Sequence, residues 1–221
     1  MGIVTDIKSL FGSGFTSLPL ILVGVILFLG THLGNLGLLM LSFGQIVVVP
    51  IVTWLVNMIH EFAFPGSTLF SVTNDSVCHL VPTANGAVSA RLSVAPSYWI
   101  AHITFFFVFL MTNAIVLYNR PPTQGADPAK VANRRAQTLT AFIISLSVFI
   151  ALVTVRLMFM NKCETIAGAA LGILIVAPIA NGWYHLASLC GARDADVFGI
   201  LQKILPQNMK DEPPMTCVYS P

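Results

Sequence analysis

The polar side chains that could do chemistry in this chain lie inside long apolar runs. Seven polar or ionisable residues within or at the ends of those runs are the candidates: Asn57, His60, His102, Asn113, Arg156, Asn181 and His185. Polar groups are costly in hydrocarbon, so such residues are the usual candidates for a substrate or proton pathway. A pathway of that kind normally includes an Asp or Glu within the membrane, and the apolar runs contain neither. Arg156 lies four residues before Met160, and we expect its side chain to extend to the membrane interface.

Asn181 and His185 are the most interesting pair, because they are four residues apart and share one face of a helix. They could hydrogen-bond to Asn113 or His102 across a helix interface, which is an ordinary way of joining helices in a membrane. We therefore interpret His102, Asn113, Asn181 and His185 as a polar interhelical cluster rather than as a site of reaction.

Catalytic and cofactor-binding motifs are missing from the sequence. There is no Gly-x-Ser-x-Gly elbow, no His-Glu-x-x-His, no phosphate loop and no pair of intramembrane carboxylates. There is also no Cys-x-x-Cys or His-x-x-x-His spacing of the kind that binds zinc. We expect no enzymatic activity, no cofactor and no metal site.

The apolar runs at residues 18–59, 98–118, 138–160 and 166–189 are each long enough to cross a hydrocarbon core of ~30 Å. The first would measure about 63 Å as one straight helix, so it must turn. The favoured turn is at residues 30–37, where three glycines, an asparagine and a histidine interrupt it; residues 42–45 are the alternative. Either turn gives five spans. Four remain an alternative if the first run is a re-entrant or interfacial hairpin.

The positions of Lys and Arg orient these spans. With five spans, one side receives seven basic residues: Arg120, Lys130, Arg134, Arg135, Arg193, Lys203 and Lys210. The other side receives Lys8, Arg91 and Lys162. The positive-inside rule then favours an outside N-terminus and a cytoplasmic C-terminus.

The composition indicates one membrane domain. Only 9% of residues are charged and 56% are hydrophobic, and the mean hydropathy is +0.82. The net charge of +2 and the lack of a continuous basic stripe argue against nucleic acid as a partner. We expect a multi-pass, all-α integral membrane protein whose first apolar segment is retained as an anchor.

The pattern along the chain predicts five regions. Residues 1–17 form an interfacial amphipathic helix, and residues 18–60 form two transmembrane helices. Residues 61–97 alternate between apolar and polar positions with turn residues between them, which predicts a small extramembrane β-meander. Residues 98–189 form three transmembrane helices with a basic loop at 119–137. Residues 190–221 form a second interfacial amphipathic helix and an extended tail.

The four cysteines divide between the two sides of the membrane. The five-span topology places Cys78 and Cys163 on the non-cytoplasmic side, and Cys190 and Cys217 on the other. A Cys78–Cys163 disulfide would tie the meander to the loop between the last two spans, if that compartment is oxidising. Four cysteines allow three pairings, so the sequence leaves the connectivity open.

Three further features are candidates for packing or contact. The pairs Gly30/Gly34 and Gly168/Gly172 have the small-residue spacing that lets helix backbones approach closely. Asn74 begins a glycosylation sequon, although a simple hairpin turn explains the same residues. A basic cluster could contact anionic headgroups or an acidic partner, or could serve only to set the topology; it consists of Lys130, Arg134 and Arg135.

Three stretches resemble multi-spanning proteins of the internal membranes of large nucleocytoplasmic DNA viruses. They are FTSLPLI at 15–21, GNLG at 34–37 and NKCETIAGA at 161–169. The resemblance implies a virion membrane protein that holds the bilayer to an overlying capsid, with its loop or tail against minor capsid proteins.

We therefore expect a structural protein that scaffolds a membrane, located in a virion inner membrane if the resemblance holds. Its expected partners are the lipid bilayer, neighbouring membrane or capsid proteins, and a second copy of itself. The alternative function is a small oligomeric channel or transporter, because kinks at Pro50 and Pro178 could open a path.

Overall fold

The computed structural model describes residues 2–64, 97–122, 127–159 and 163–189, with only the backbone described for residues 2–13 and for Phe159. These residues form six α-helices and one π-helical turn. In chain order they are α1 (Gly2–Leu33), α2 (Leu36–Phe43), the π-helical turn (Gly44–Val48), α3 (Val49–Ala63), α4 (Tyr98–Asn119), α5 (Pro128–Phe159) and α6 (Ile166–Leu189).

Five stretches of these helices are long and apolar enough to cross a membrane. They are Gly14–Leu33, Leu36–Ala63, Tyr98–Asn119, Pro128–Met158 and Ile166–Leu189. The predicted number of spans is confirmed for the described part of the chain, and the fold is compatible with a multi-pass membrane protein.

The turn between the first two spans lies where the glycines predict it. Gly34 has a φ of 59°, a left-handed conformation that favours glycine. Its N–H donates to the Thr31 carbonyl at 3.3 Å, and the Asn35 N–H donates to the Gly30 carbonyl at 3.0 Å. This pair of bonds closes the C-terminus of α1 as a Schellman motif.

The last residue of this motif, Asn35, also starts the next helix. The Asn35 side-chain oxygen accepts hydrogen bonds from the Gly37 and Leu38 N–H groups at 3.0 and 3.2 Å, which caps α2. Gly30 has a different role from Gly34, because a Cβ there would lie 3.1 Å from the Leu38 Cβ. Gly34 therefore makes the turn, while Gly30 allows α1 and α2 to pack closely beside it.

The alternative turn at residues 42–45 is not used, because the second span passes through it as a widened helix. The π-helical turn Gly44–Val48 comes directly before α3, whose second residue is Pro50. Proline has no N–H to donate to the Ile46 carbonyl, and its ring crowds that carbonyl in an ordinary α-helix. A wide turn gives this carbonyl room and lets the span continue.

Helix α4 lies at the centre of the bundle. Of 18 residues in its apolar stretch 61% are buried, against 11% of 18 residues in that of α5. One buried cluster joins α4 to α6, the second span and α1, and it includes Phe105 and Phe109. A second cluster includes Trp99 and Ile103 of α4, and partly buried residues of α1 and α5 pack against it. The polar residues of α4 are therefore held within packed apolar surroundings.

Two sequence predictions about the extramembrane segments need correction. The β-meander at 61–97 is not supported: the described residues contain no strand, and α3 continues through Glu61 to Ala63. Residues 65–96 lie outside the described residues. The separate interfacial helix at 1–17 is also not seen, because α1 runs from Gly2 to Leu33 as one helix. The predicted C-terminal helix and tail at 190–221 lie outside the described residues.

Candidate functional site

A charged cluster lies where the start of α4, the end of α5 and the start of α6 meet. The Arg156 Nε donates to the Glu164 Oε1 at 3.3 Å, and the Ser97 hydroxyl donates to the same carboxylate oxygen. The Arg156 guanidinium also lies 5.1 Å from the ring centroid of Trp99. Arg156 and Trp99 are each only 1% exposed. We call Ser97, Trp99, Arg156 and Glu164 the junction cluster.

Helix capping explains how the carboxylate of the junction cluster is positioned. Ser97 is the N-cap of α4, and its Oγ accepts from the Ile100 N–H at 3.2 Å while its hydroxyl donates to Glu164. Thr165 caps α6 in the same way, since its Oγ1 accepts from the Gly168 N–H at 3.0 Å. Glu164 is therefore held between two capped helix starts.

Burial dominates the electrostatics of this cluster. It raises the pKa of Glu164, even though the hydrogen bond from Ser97 and the charge of Arg156 both lower it. The guanidinium cannot be deprotonated in a protein, so its charge persists whatever the state of the carboxyl group. The Trp99 ring adds a cation–π contact to the same charge.

The burial of Arg156 corrects the expectation that its side chain extends to the interface. Glu164 and Trp99 supply inside the protein the partners that water and headgroups would supply outside it. Trp99 is held in turn by a hydrogen bond from its Nε1 to the Phe15 carbonyl of α1 at 3.0 Å. The cluster thus connects four of the five spans or their ends.

A neutral pair joins the π-helical turn to α4. The Gln45 Nε2 donates to the His102 carbonyl at 2.9 Å, and the Gln45 Oε1 contacts the His102 Nδ1. Because that amide oxygen can only accept, the proton of a neutral imidazole belongs on Nδ1 in this arrangement. Both side chains are buried.

The residue before Gln45 shows how tightly this turn approaches its neighbours. A Cβ added at Gly44 would lie 2.5 Å from a ring carbon of Phe105 and 2.8 Å from the Trp183 Nε1. The Trp183 indole donates to the Met40 carbonyl at 2.9 Å. The second span, α4 and α6 therefore meet at Gly44 with no space for a side chain.

Two further polar contacts join α4 to α6 towards the other end of the bundle. The Thr112 hydroxyl donates to the Asn181 Oδ1 at 3.2 Å, and the Asn113 Nδ2 donates to the Tyr184 hydroxyl at 3.1 Å. The Tyr184 ring packs edge-on against Phe109, with centroids 5.1 Å apart. We call these the α4–α6 polar pairs.

The four residues predicted to form one polar cluster occur in separate contacts instead. His102 and Asn113 are eleven residues apart on α4, about 16 Å along the helix, so each meets a different neighbour. Asn181 bonds to Thr112. His185 is exposed on α6, and the one contact described for its imidazole is with the Tyr184 ring. The spacing of Asn181 and His185 placed them on one face of α6, but it did not reveal whether that face points into the bundle.

The other predicted packing and disulfide residues have these positions. Gly168 and Gly172 are both buried on α6. Cys163 is disulfide-bonded. The other three cysteines lie outside the described residues, so the pairing of Cys163 with Cys78 stays a prediction. Asn74 also lies outside them.

The basic cluster lies at the start of α5, which Asp127 caps by accepting from the Ala129 N–H at 2.9 Å. The Arg134 Nη2 donates to the Arg120 carbonyl at 2.7 Å, just past the C-terminus of α4. The Arg135 guanidinium lies 5.9 Å from the Tyr118 ring centroid. Lys130 is partly exposed. Two of the three basic side chains thus contact the end of α4, where positive charge complements the helix dipole.

Comparison with protein-family models, with curated proteins and with solved structures finds no match for this chain. The proposed function therefore rests on the contacts within the structure and on the sequence. Within the described ranges, no group of three His, Cys, Asp or Glu side chains could hold a metal ion. The contacts described above are hydrogen bonds, an ion pair and ring contacts between helices.

Several residues in these contacts were not singled out as site residues from the sequence. They include Gln45, Ser97, Trp99, Thr112, Glu164 and Tyr184. A signal existed for Glu164, because an arginine within an apolar run needs an anionic partner. Glu164 follows Arg156 by eight residues and is the one acid between the fourth and fifth spans.

Proposed function

We propose that this protein is a structural membrane protein that scaffolds a bilayer and contacts neighbouring proteins. The observation that supports this function is the use of polar residues as connections to the central helix α4. Ser97 and Trp99 connect it to Glu164 and Arg156 in the junction cluster. His102 connects it to the second span, and Asn113 connects it to α6. Polar groups in hydrocarbon are costly, and here they join helices into one unit.

The packing around α4 supports a solid bundle. Trp99, Phe105 and Phe109 are buried along α4. Phe105 and Phe109 lie between His102 and Asn113 in the chain, so apolar rings separate the polar contacts at different depths. An ion-conducting pathway through one copy would instead need polar groups that follow one another continuously across the membrane.

A finer part of the proposal concerns location and partners. We propose that the protein lies in a virion inner membrane and links it to an overlying capsid. This part rests on the sequence resemblance at residues 15–21, 34–37 and 161–169. The extramembrane segments at 61–97 and in the C-terminal tail are the proposed contact surfaces, and this assignment also rests on sequence, since residues 65–96 and 190–221 lie outside the described residues.

One observation favours the alternative of a channel or transporter. The second span contains a π-helical turn that carries Gln45 next to His102. Turns of this kind are frequent at functional sites, because a widened helix can rearrange. If the protein transports a substrate, we expect the accompanying conformational change to involve this π-helical turn.

A cryo-EM map of the protein in its native membrane tests the scaffold function. We expect ordered neighbouring protein against the extramembrane segments. A second measurement is ion flux through the purified protein in liposomes, for which we expect the rate of protein-free vesicles. An isolated oligomer that encloses a hydrated path would contradict the proposal.

A matched pair of variants makes the flux measurement specific. Gln45→Leu alters the π-helical turn, whereas Gly24→Leu adds the same side chain at an exposed glycine with open space around it. The transporter alternative would be established by three results together. The wild type would show ion flux, Gln45→Leu would abolish it, and Gly24→Leu would leave it unchanged.

A further inference from the structure

The outer face of α6 includes polar and small residues among exposed apolar ones such as Leu174 and Leu189. Exposed positions recur along this face at helical spacing. We call five of them the outer stripe: Leu174, Pro178, Asn181, Gly182 and His185. Leu174 is 73% exposed, so the stripe is open to the surroundings of the bundle.

Asn181 makes one of the four hydrogen bonds open to its side-chain amide within the described structure. Its Oδ1 accepts from Thr112. The two N–H groups of its amide have no acceptor among the described residues. His185 has an edge-on contact with the Tyr184 ring at 5.6 Å, and its ring nitrogens have no hydrogen-bond partner among the same residues. Two polar side chains on the outer stripe therefore have hydrogen-bonding groups without a partner among the described residues.

The depth of these residues makes an unmade bond costly. Asn181 lies eight residues before the end of α6 at Leu189, or about 12 Å along the axis. That position is inside a hydrocarbon core of ~30 Å rather than among headgroups. Lipid tails offer no acceptor, so an amide facing them loses hydrogen bonds that it would make in water.

The space around Gly182 permits a close approach at the same place. A Cβ built on this glycine meets nothing within 4 Å, so its missing side chain does not serve packing inside the bundle. Gly30 and Gly44 differ, because a Cβ at either would collide with a neighbouring helix. An open glycine between two polar side chains allows another helix backbone to approach and accept their hydrogen bonds.

We propose that the outer stripe packs against the outer stripe of a second copy of this chain. An amide and an imidazole each contain both donors and acceptors, so the stripe is complementary to itself. Two copies with the same topology place the same residue at the same depth, and a two-fold axis along the membrane normal brings Asn181 against the partner's Asn181. An unrelated helix would have to supply its own polar group at that depth.

This inference goes beyond the scaffold function and does not depend on it, because a transporter could be a dimer as well. The test is the number of subunits per particle in liposomes, counted by single-molecule photobleaching of labelled full-length protein over a range of protein-to-lipid ratios. We expect two-step bleaching for the wild type. Asn181→Leu and Gly182→Leu should each weaken dimerisation about tenfold, whereas Gly24→Leu, with equally open space on α1, should leave it unchanged.

A second measurement keeps the test independent of folding defects. A photo-crosslinking phenylalanine analogue replaces one exposed apolar residue in the otherwise unchanged chain, either Leu186 beside the stripe or Phe28 on α1. We expect crosslinked dimers from position 186 and not from position 28. Single-step bleaching of the wild type at every protein-to-lipid ratio would overturn the proposal, because the protein would then be a monomer whose outer stripe faces lipid. Dimers that Asn181→Leu and Gly182→Leu leave intact would also overturn it, because another surface would then hold the copies together.

Discussion

The junction cluster and the polar contacts inside the bundle solve the same problem with different chemistry. At the junction, an arginine and a glutamate form a buried ion pair where three helix ends converge. Deeper in the bundle, the Gln45–His102 contact and the α4–α6 polar pairs use neutral groups. Among these contacts, full charges occur at the junction, where Glu164 and the Trp99 ring reach Arg156 and the Ser97 hydroxyl reaches Glu164.

This difference has an energetic consequence. A neutral pair can be replaced by two apolar side chains at little cost, because both unmet hydrogen-bonding groups are removed together. A charged pair leaves a buried charge behind when either partner is changed alone, and the cost then depends on whether the remaining group can become neutral. Arginine cannot lose its charge, whereas glutamate can take up a proton.

The largest effect is expected for Glu164→Gln. Glutamine still offers an oxygen to the Ser97 hydroxyl, but it removes the counterion of Arg156. Breaking a buried pair in this way costs about 3–5 kcal/mol of unfolding free energy. Thermal unfolding of the protein in detergent micelles or nanodiscs measures the loss. The matched control is Glu61→Gln, the same change at an exposed glutamate of α3. Equal stability of the two variants would show that the charge of Arg156 does not need Glu164.

A smaller and pH-dependent loss is expected for Arg156→Leu. Burial already raises the pKa of Glu164, and removing the nearby positive charge raises it further. The folded state then holds a proton that the unfolded state has released. Stability should therefore be highest below the ordinary glutamate pKa and should fall as the pH rises through the raised value.

Unfolding temperatures of Arg156→Leu at pH 4.5, 6 and 7.5 give the measurement. The double variant Arg156→Leu with Glu164→Gln contains no titrating group at the junction, so its stability should not follow this trend. A single variant that becomes more stable as the pH rises would contradict the direction of the shift.

An intermediate effect is expected for Gln45→Leu. The change leaves the His102 carbonyl and the His102 Nδ1 without their partner, at a cost of about 1–3 kcal/mol. Adding His102→Leu removes the imidazole as well and should recover part of the loss. A double variant less stable than Gln45→Leu would show that His102 contributes more than this hydrogen bond. The double change at the junction gives the charged counterpart of this measurement.

Local chemistry explains which parts of the fold could be predicted from the sequence. The turn at Gly34 depends on a glycine whose left-handed backbone conformation other residues rarely adopt. The five spans follow from hydropathy over about twenty residues each. Alternation in residues 61–97 suggested strands, but alternation alone is a weak signal, and no strand occurs in the described part of this range.

Long-range contacts explain what the sequence did not reveal. Ser97 and Glu164 are 67 positions apart, and Gln45 and His102 are 57 apart. Which helix face meets which neighbour depends on packing that hydropathy does not describe. His185 and Asn181 share a face, yet only Asn181 bonds to α4. Periodicity groups residues on a face without stating where that face points.

The smallest effect is expected for Tyr184→Phe. The change keeps the ring against Phe109 and removes only the hydroxyl that accepts from the Asn113 Nδ2. Hydrogen bonds between membrane helices contribute about 0.6 kcal/mol on average, because the unfolded chain in the membrane also finds partners. The control Tyr98→Phe removes a hydroxyl at the exposed start of α4.

A double-mutant cycle of Tyr184→Phe with Asn113→Leu isolates the coupling between these two side chains. The same cycle with Arg156→Leu and Glu164→Gln gives the coupling in the junction cluster. If the charged and neutral contacts differ as their chemistry requires, the junction coupling is several times larger. Similar couplings would mean that burial within α4's surroundings, rather than charge, determines what each contact contributes.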